Sequence, residues 1–239
     1  MPFEVLFLDN HLLVVVKPAG LLAQADHTGD ADLLTLGKAF LKARFDKPGN
    51  VFLGLVHRLD RPVSGVMVLA RTSKAASRLS QQFRDRAPTK RYLALVEGTL
   101  PGPAGERIDF LAKTYTPGRG TRVGVVPPDH PDGKRAVLRW EVLASQRGQS
   151  LVEVALVTGR AHQIRVQLAA LGTPIVGDFR YGARTEHDGQ NLALHSYALA
   201  FEHPVRRDAR RFTALPPTTW AGPLADRARA HVEGVSERA

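Results

Sequence analysis

A nine-residue polar run, HRLDRPVSG from His57 to Gly65, separates the apolar stretches VFLGLV and VMVLA. Flanks so rich in valine and leucine read as buried strands, and the proline inside the run opposes both helix and central strand. The chain must therefore turn sharply here. That turn holds a single carboxylate, Asp60, between the cations Arg58 and Arg61. Opposite charge favours the ionised form, so Asp60 is available at neutral pH as a nucleophile or base. Taken alone, an acid in an ordinary turn ion pair would look the same.

Other segments follow the same logic. EVLFLD and LLVVVK read as two strands around Asn10-His11, the second ending at Pro18. Leucines and aromatics at helical spacing between Asp32 and Phe45 predict an amphipathic helix that stops near Pro48-Gly49. Ser73 is expected to cap a second helix, through Arg84, with Ala76, Leu79 and Phe83 on one face. YLALVE, AVLRWEVLA and SLVEVALVT read as strands, and His162 to Leu171 as a third helix closed by Gly172 and Pro174. Two polar stretches, 114–134 and 178–190, read as long loops of functional character. Beyond Gly222 a partly helical or frayed tail is expected. Strands outnumber helices without alternating regularly with them, so the pattern predicts an α+β fold with a mixed, largely antiparallel sheet and flanking helices.

Charge narrows the partner. Thirty-three Lys and Arg against 23 Asp and Glu give a net charge of +10 and a pI near 10.4, favouring a polyanion through phosphate neutralisation and steering. The chain has no cysteine, which excludes disulfides, thiolate nucleophiles and thiolate metal ligands together. MPFEVLFLDN has an early acid and no basic leader, and no apolar run is long enough to span a membrane, so a cytoplasmic protein is expected. No HExxH or close histidine pair with a supporting acid occurs, so no metal is expected. Gly118, Gly120 and Gly124 have the wrong spacing for a dinucleotide fingerprint, and Ser64 lacks the glycines of a nucleophile elbow.

With KPAG (Lys17–Gly20), KRYLALVEG (Lys90–Gly98), GRAHQIRVQLAALGTPIVGDFRYG (Gly159–Gly182) and LALHS (Leu192–Ser196), the HRLD run resembles the RluA-type pseudouridine synthases, in that family's order. The resemblance implies a bent sheet with a central active-site cleft, a catalytic domain over 1–221 and a tail over 222–239. It implies no small RNA-binding domain ahead of the catalytic one. Asp60 would be the catalytic carboxylate, attacking the ribose anomeric carbon or stabilising the cation left when uracil departs. Tyr92 would stack on the target base and serve as a candidate base for the ribose 2′ proton, and Arg165 would be the cation paired with Asp60. Arg58 would fill the space left by the flipped nucleotide, while His57, His162 and Gln163 would contact substrate; for His57 a buried, hydrogen-bonded ring is an equal reading.

The implied reaction is an isomerisation of uridine in structured RNA, tRNA or rRNA, by a monomer that needs no cofactor. Val63 and Gln167 depart from the family, which more often has Thr and His there, and RPVSG is nearer its tRNA-acting branch. Two other classes compete: a non-catalytic RNA-binding or RNA-folding protein on the same scaffold, and a phosphate-handling hydrolase. The hydrolase lacks the second acid or metal cluster it would need.

Overall fold

The computed structural model describes residues 2–116, 120–189 and 191–237. Among them, in chain order, are β1 (Glu4–Leu8), β2 (Leu12–Lys17), α1 (Leu33–Arg44), β3 (Gly54–Leu55), β4 (Ser64–Ala70), α2 (Ser73–Arg84) and β5 (Thr89–Glu97). There follow β6 (Ala104–Thr116), β7 (Gly120–Val126), β8 (Lys134–Gln146), β9 (Gln149–Leu156), α3 (Gln163–Ala170), β10 (Leu194–Glu202), β11 (Ala209–Thr213) and α4 (Pro223–Ser236). The pairs β1–β2, β2–β4, β10–β11, β5–β9 and β8–β9 are antiparallel, in keeping with the largely antiparallel sheet expected. The chain folds as two compact units: one of Met1–Lys90, Ser196–Pro217 and Val232–Ala239, the other of Arg91–His195 and Thr218–His231.

In the first unit β1 pairs with β2, β2 with β4, and β10 with β11. Side chains alternate along a strand, so β2 and β4 each have two inner faces. Leu12, Val14, Val66, Val68 and Ala70 pack with Leu199, Phe201 and the α2 residues Ala75 and Leu79. Leu13 and Leu69 point the other way, towards Gly37 of α1. Burial on both faces explains why all seven residues of β4 are buried and why its sequence is nearly continuous in apolar residues. Asp32 caps α1, accepting from the Thr35 N–H at 3.0 Å. The second helix is capped by Thr72, one residue earlier than expected, through a 3.2 Å bond from the Ala75 N–H; Ser73 is its first helical residue.

In the second unit β5, β9, β8, β6 and β7 form an antiparallel succession. β8 and β9 meet at Arg147-Gly148, both at positive φ (51° and 75°), the two-residue turn whose twist matches a hairpin. The stretch 114–134 corrects the sequence reading. It contains the end of β6, all of β7 and the start of β8, and residues 117–119 lie outside the described residues. β6 and β7 are partly exposed and mix Gly, Arg, Lys and Thr with apolar residues, so the alternation that betrays a half-buried strand is diluted. Of the stretch 178–190, residue 190 lies outside the described residues; the rest is irregular apart from a 3-10 turn, Phe179–Tyr181, and an isolated bridge from Asp188 to Asn191. The expected tail is a 14-residue helix, α4, whose Leu224, Ala225, Ala228 and Val232 are buried.

One glycine fixes the entry to β4. Gly65 has φ of 130°, and a Cβ there would lie 2.3 Å from the Ser196 carbonyl oxygen of β10. Both the backbone angle and the contact exclude a side chain. Gly65→Ala is expected to cost at least about 3 kcal/mol, read as a lowered urea midpoint; an unchanged midpoint would refute the close packing of β4 on β10.

Candidate active site

The turn carrying Asp60 is built by its neighbour strand. Lys17, the last residue of β2, is fully buried, yet its ammonium donates to the carbonyls of Pro18 (2.9 Å), Leu21 (2.8 Å) and Arg61 (3.1 Å). Three acceptors match the three N–H groups of the protonated amine. Burial pushes the Lys17 pKa down to about 7, the Asp60 charge opposes this, and Arg61 adds to it. Gly20 and Arg61 clasp reciprocally: the Gly20 N–H donates to the Arg61 carbonyl at 2.8 Å, and Arg61 Nε donates to the Gly20 carbonyl at 3.1 Å. The Val63 N–H closes the turn on the Asp60 carbonyl at 3.0 Å. KPAG is thus the cradle of the HRLD turn, and Val63 is buried beneath it.

Within this turn Asp60 is partly buried and Arg58 is exposed. Strand alternation does not relate the two, because β3 ends at Leu55 and the backbone from 56 to 63 is irregular. Of the two readings of His57, a substrate contact or a hydrogen-bonded internal ring, the geometry matches the second: its Nε2 accepts the Val68 N–H at 3.0 Å, and its ring stacks on Phe83 at 4.5 Å. The imidazole takes the place of a strand carbonyl where β3 has stopped. Burial, reinforced by the nearby Lys90 charge, pushes its pKa down to about 3.

Tyr92, Arg165, His162 and Gln163 belong to the second unit. Tyr92 is buried on β5, opposite Val154 of β9. Arg165 lies on α3, only 6% exposed, and forms a bidentate pair with Asp178: Nε to Oδ2 at 2.7 Å and Nη2 to Oδ1 at 2.9 Å. Two parallel charge-assisted bonds fix the guanidinium plane as one lysine contact could not. The guanidinium also lies over the Tyr181 ring, 5.0 Å from its centre. His162 precedes α3 in a left-handed conformation (φ 52°), with Nδ1 2.8 Å from the Tyr181 hydroxyl. Burial raises the Tyr181 pKa, with the Arg165 and Arg180 charges opposing, so the phenol stays protonated.

The Gln163 amide, expected to contact substrate, is bonded within the protein. Its Oε1 accepts from Thr158 Oγ1 (2.8 Å) and the Arg160 N–H (3.0 Å), and its Nε2 donates to the Val137 carbonyl (3.0 Å). Gln167 is equally internal, tying α3 to Asp109 of β6 at 2.8 Å. Asp178 and Tyr181 escaped the sequence reading as partners of Arg165, although both stand in the quoted GDFRYG. Glu97, at the end of β5, accepts the Arg184 N–H at 2.7 Å and the Thr185 N–H at 2.6 Å, fixing the segment that follows Tyr181. Among the described residues no group of three His, Cys, Asp or Glu could hold a metal, and no helix is long and apolar enough to cross a membrane.

Residues 11–170 match the family model described as RNA pseudouridylate synthase. The chain belongs to that family. It is of the RluA type, an RNA pseudouridine synthase and so an isomerase. It is 38% identical over 216 residues to an uncharacterized RNA pseudouridine synthase of Zymomonas mobilis, covering 90% of this chain and 93% of the relative. The dual-specificity RNA pseudouridine synthase RluA of Haemophilus influenzae is 34% identical over 213 residues, covering 88% and 92%. Among solved structures, human RNA pseudouridylate synthase domain containing 4 superposes with a TM-score of 0.75 at 24% identity, covering 96% of this chain and 93% of that one. Human domain containing 1 gives 0.71 at 26%, covering 90% and 84%.

Two outcomes test this geometry. Lys17→Met leaves the carbonyls it served short of a donor and Asp60 without a buried counter-charge, so it is expected to cost about 3 kcal/mol; a melting temperature equal to wild type would refute the cradle. The second concerns pH. An unfolded chain protonates His57 near 6.5, whereas the folded chain keeps it neutral down to about 3. Between those values the unfolded state holds the extra proton, and stability falls as pH falls. Unfolding free energy measured from pH 7 to 4.5 should drop more steeply for wild type than for His57→Gln; parallel curves would contradict a neutral His57.

Proposed function

We propose that Asp60 is the catalytic carboxylate for isomerising uridine in structured RNA, with Tyr92 and Arg165 as the other catalytic groups and Arg58 assisting nucleotide flipping. The observation that carries this reading is the cradle of Lys17, Gly20 and Arg61 around the Asp60 turn. A protein that used this acid only as surface charge would have no need to bury an ammonium beneath it. In the reaction the bond from ribose C1′ to uracil N1 breaks, the base turns, and C1′ bonds to C5. The proton lost from C5 is balanced by one gained at N1. Atoms and electrons balance without oxidant, metal or nucleotide, so the residues supply charge, position and proton transfer.

Asp60 can act by attacking C1′ or by stabilising the positive charge that develops there; both roles use a carboxylate held at a fixed place in the turn. Tyr92 suits stacking on the base, and as a base for the ribose 2′ proton it would need nearby cations, because a phenol ordinarily titrates near 10. The guanidinium of Arg165, its plane fixed by the bidentate pair with Asp178, suits its reading as a pre-oriented cation of the catalytic group. Curated relatives are named for the ribosomal large subunit and for dual specificity, so the substrate is read as folded rRNA or tRNA. We further read the protein as cytoplasmic and monomeric.

Asp60→Asn preserves side-chain volume and removes charge. On one uridine-containing RNA, turnover is expected to fall by a factor on the order of 10^3 or more, while RNA affinity is retained. Near-normal pseudouridine formation by the variant would overturn the assignment of Asp60. No product from wild type on any cellular RNA would favour the non-catalytic RNA binder.

A further inference from the structure

In the second unit a cavity of about 570 Å3 is lined by Leu111, Lys113, Val123, Lys134, Arg160 and Asp132, among others. The volume lies in the range of sites that take nucleotide-sized ligands. Its wall is apolar where Leu111 and Val123 pack towards Val166 of α3 and Tyr181. Its polar groups are three cations against one carboxylate. These cations come from three separate places in the unit. Lys113 lies on β6 opposite Val123 of β7, Lys134 opens β8 opposite Leu111, and Arg160 lies in the turn before α3. Arg160 is held in place by a 3.1 Å bond from its Nε to the Arg135 carbonyl. Two residues along β6 from Lys113, the Tyr115 side chain is 74% exposed, an aromatic face that the core does not claim.

None of these groups takes part in the chemistry proposed above. They are nevertheless close in the chain to a group that does: only Ala161 separates Arg160 from His162, whose ring meets Tyr181 beside the catalytic candidate Arg165. Cations converging on a half-apolar hollow suit a ligand that is anionic at its edge and apolar in its body. A phosphodiester with its sugar and base meets that description.

We infer that this cavity is a second RNA subsite, in which Lys113, Lys134 and Arg160 bind the backbone phosphates of nucleotides flanking the target uridine. The inference rests on the pseudouridine synthase reading and adds to it the place where the rest of the strand is held. Asp132 acts against it, lowering affinity at the rim.

The test compares Lys113→Ala/Lys134→Ala with Lys38→Ala/Lys42→Ala, which removes the same charge from the exposed face of α1. Each phosphate contact contributes about 0.7–0.9 to the slope of log affinity against log salt. For the cavity variant, binding of an RNA that wild type converts is expected to weaken about tenfold at 0.1 M salt, with the slope reduced by about 1.4–1.8. Turnover at saturating RNA should be unchanged. The α1 variant should lose less than half as much in both quantities. Asp132→Asn, an independent arm, should tighten binding. Equal losses in the two double variants, or no gain from Asp132→Asn in a folded protein, would overturn the subsite. Failure of wild type to form pseudouridine would instead overturn the activity, and the binding comparison would still decide the subsite.

Discussion

A charged amine with no access to water holds the candidate site together. Lys17 ends a strand that is buried on both sides, where an unsatisfied ammonium would be very costly. Its three carbonyl acceptors come from its own neighbour Pro18, from Leu21 and from Arg61, more than forty residues on. Two loops distant in sequence are therefore fastened at one point, and the Asp60 turn takes its shape from that fastening. The reciprocal Gly20–Arg61 bonds add a second attachment at the same place. Proline after the lysine stops β2 where its carbonyl can turn back to the amine.

The second unit uses a comparable device on a helix. α3 carries Gln163, Arg165 and Gln167, all buried, and each faces a different neighbour: the Thr158 turn, Asp178, and Asp109 of β6. An amphipathic helix anchored only by apolar contacts could slide by small amounts. Polar groups in three directions, each with a specific partner, define both its rotation and its height. Arg165 gains a fixed orientation from this, and the bidentate pair with Asp178 completes it.

Much of the frame was legible in the chain. β1, β2, α1, α2, β5, β8, β9 and α3 follow from apolar periodicity, from Asp32 and from the proline and glycine stops, because those segments pay for their burial with side chains of one kind. β6 and β7 were not legible: neither face of that hairpin is consistently apolar, and register there comes from pairing with β8 rather than from pattern. α4 was underestimated because alanine and arginine suggest a solvated helix, whereas its Ala225 and Ala228 are fully buried and its Arg229 donates to the Trp220 carbonyl at 2.7 Å. At the site, motif identity singled out Asp60, Tyr92 and Arg165 as candidates. The partners that position them, Lys17 and Asp178, needed three dimensions, since hydrogen-bond reach across forty residues leaves no periodic trace. His57 and Gln163 show the converse: residues inside a functional motif can be spent on holding it.

Glu97 gives the segment from Asp178 to Gly189 a single carboxylate mooring on the end of β5. That mooring receives two backbone N–H groups, and the Thr185 hydroxyl and the Arg184 charge reinforce it. The path of the segment is therefore written partly in its backbone and partly in the side chains at 184 and 185. A graft of this segment onto a relative would have to carry Thr185 with it and bring the acceptor on the strand; one that left Glu97 behind would put the right residues on the wrong path.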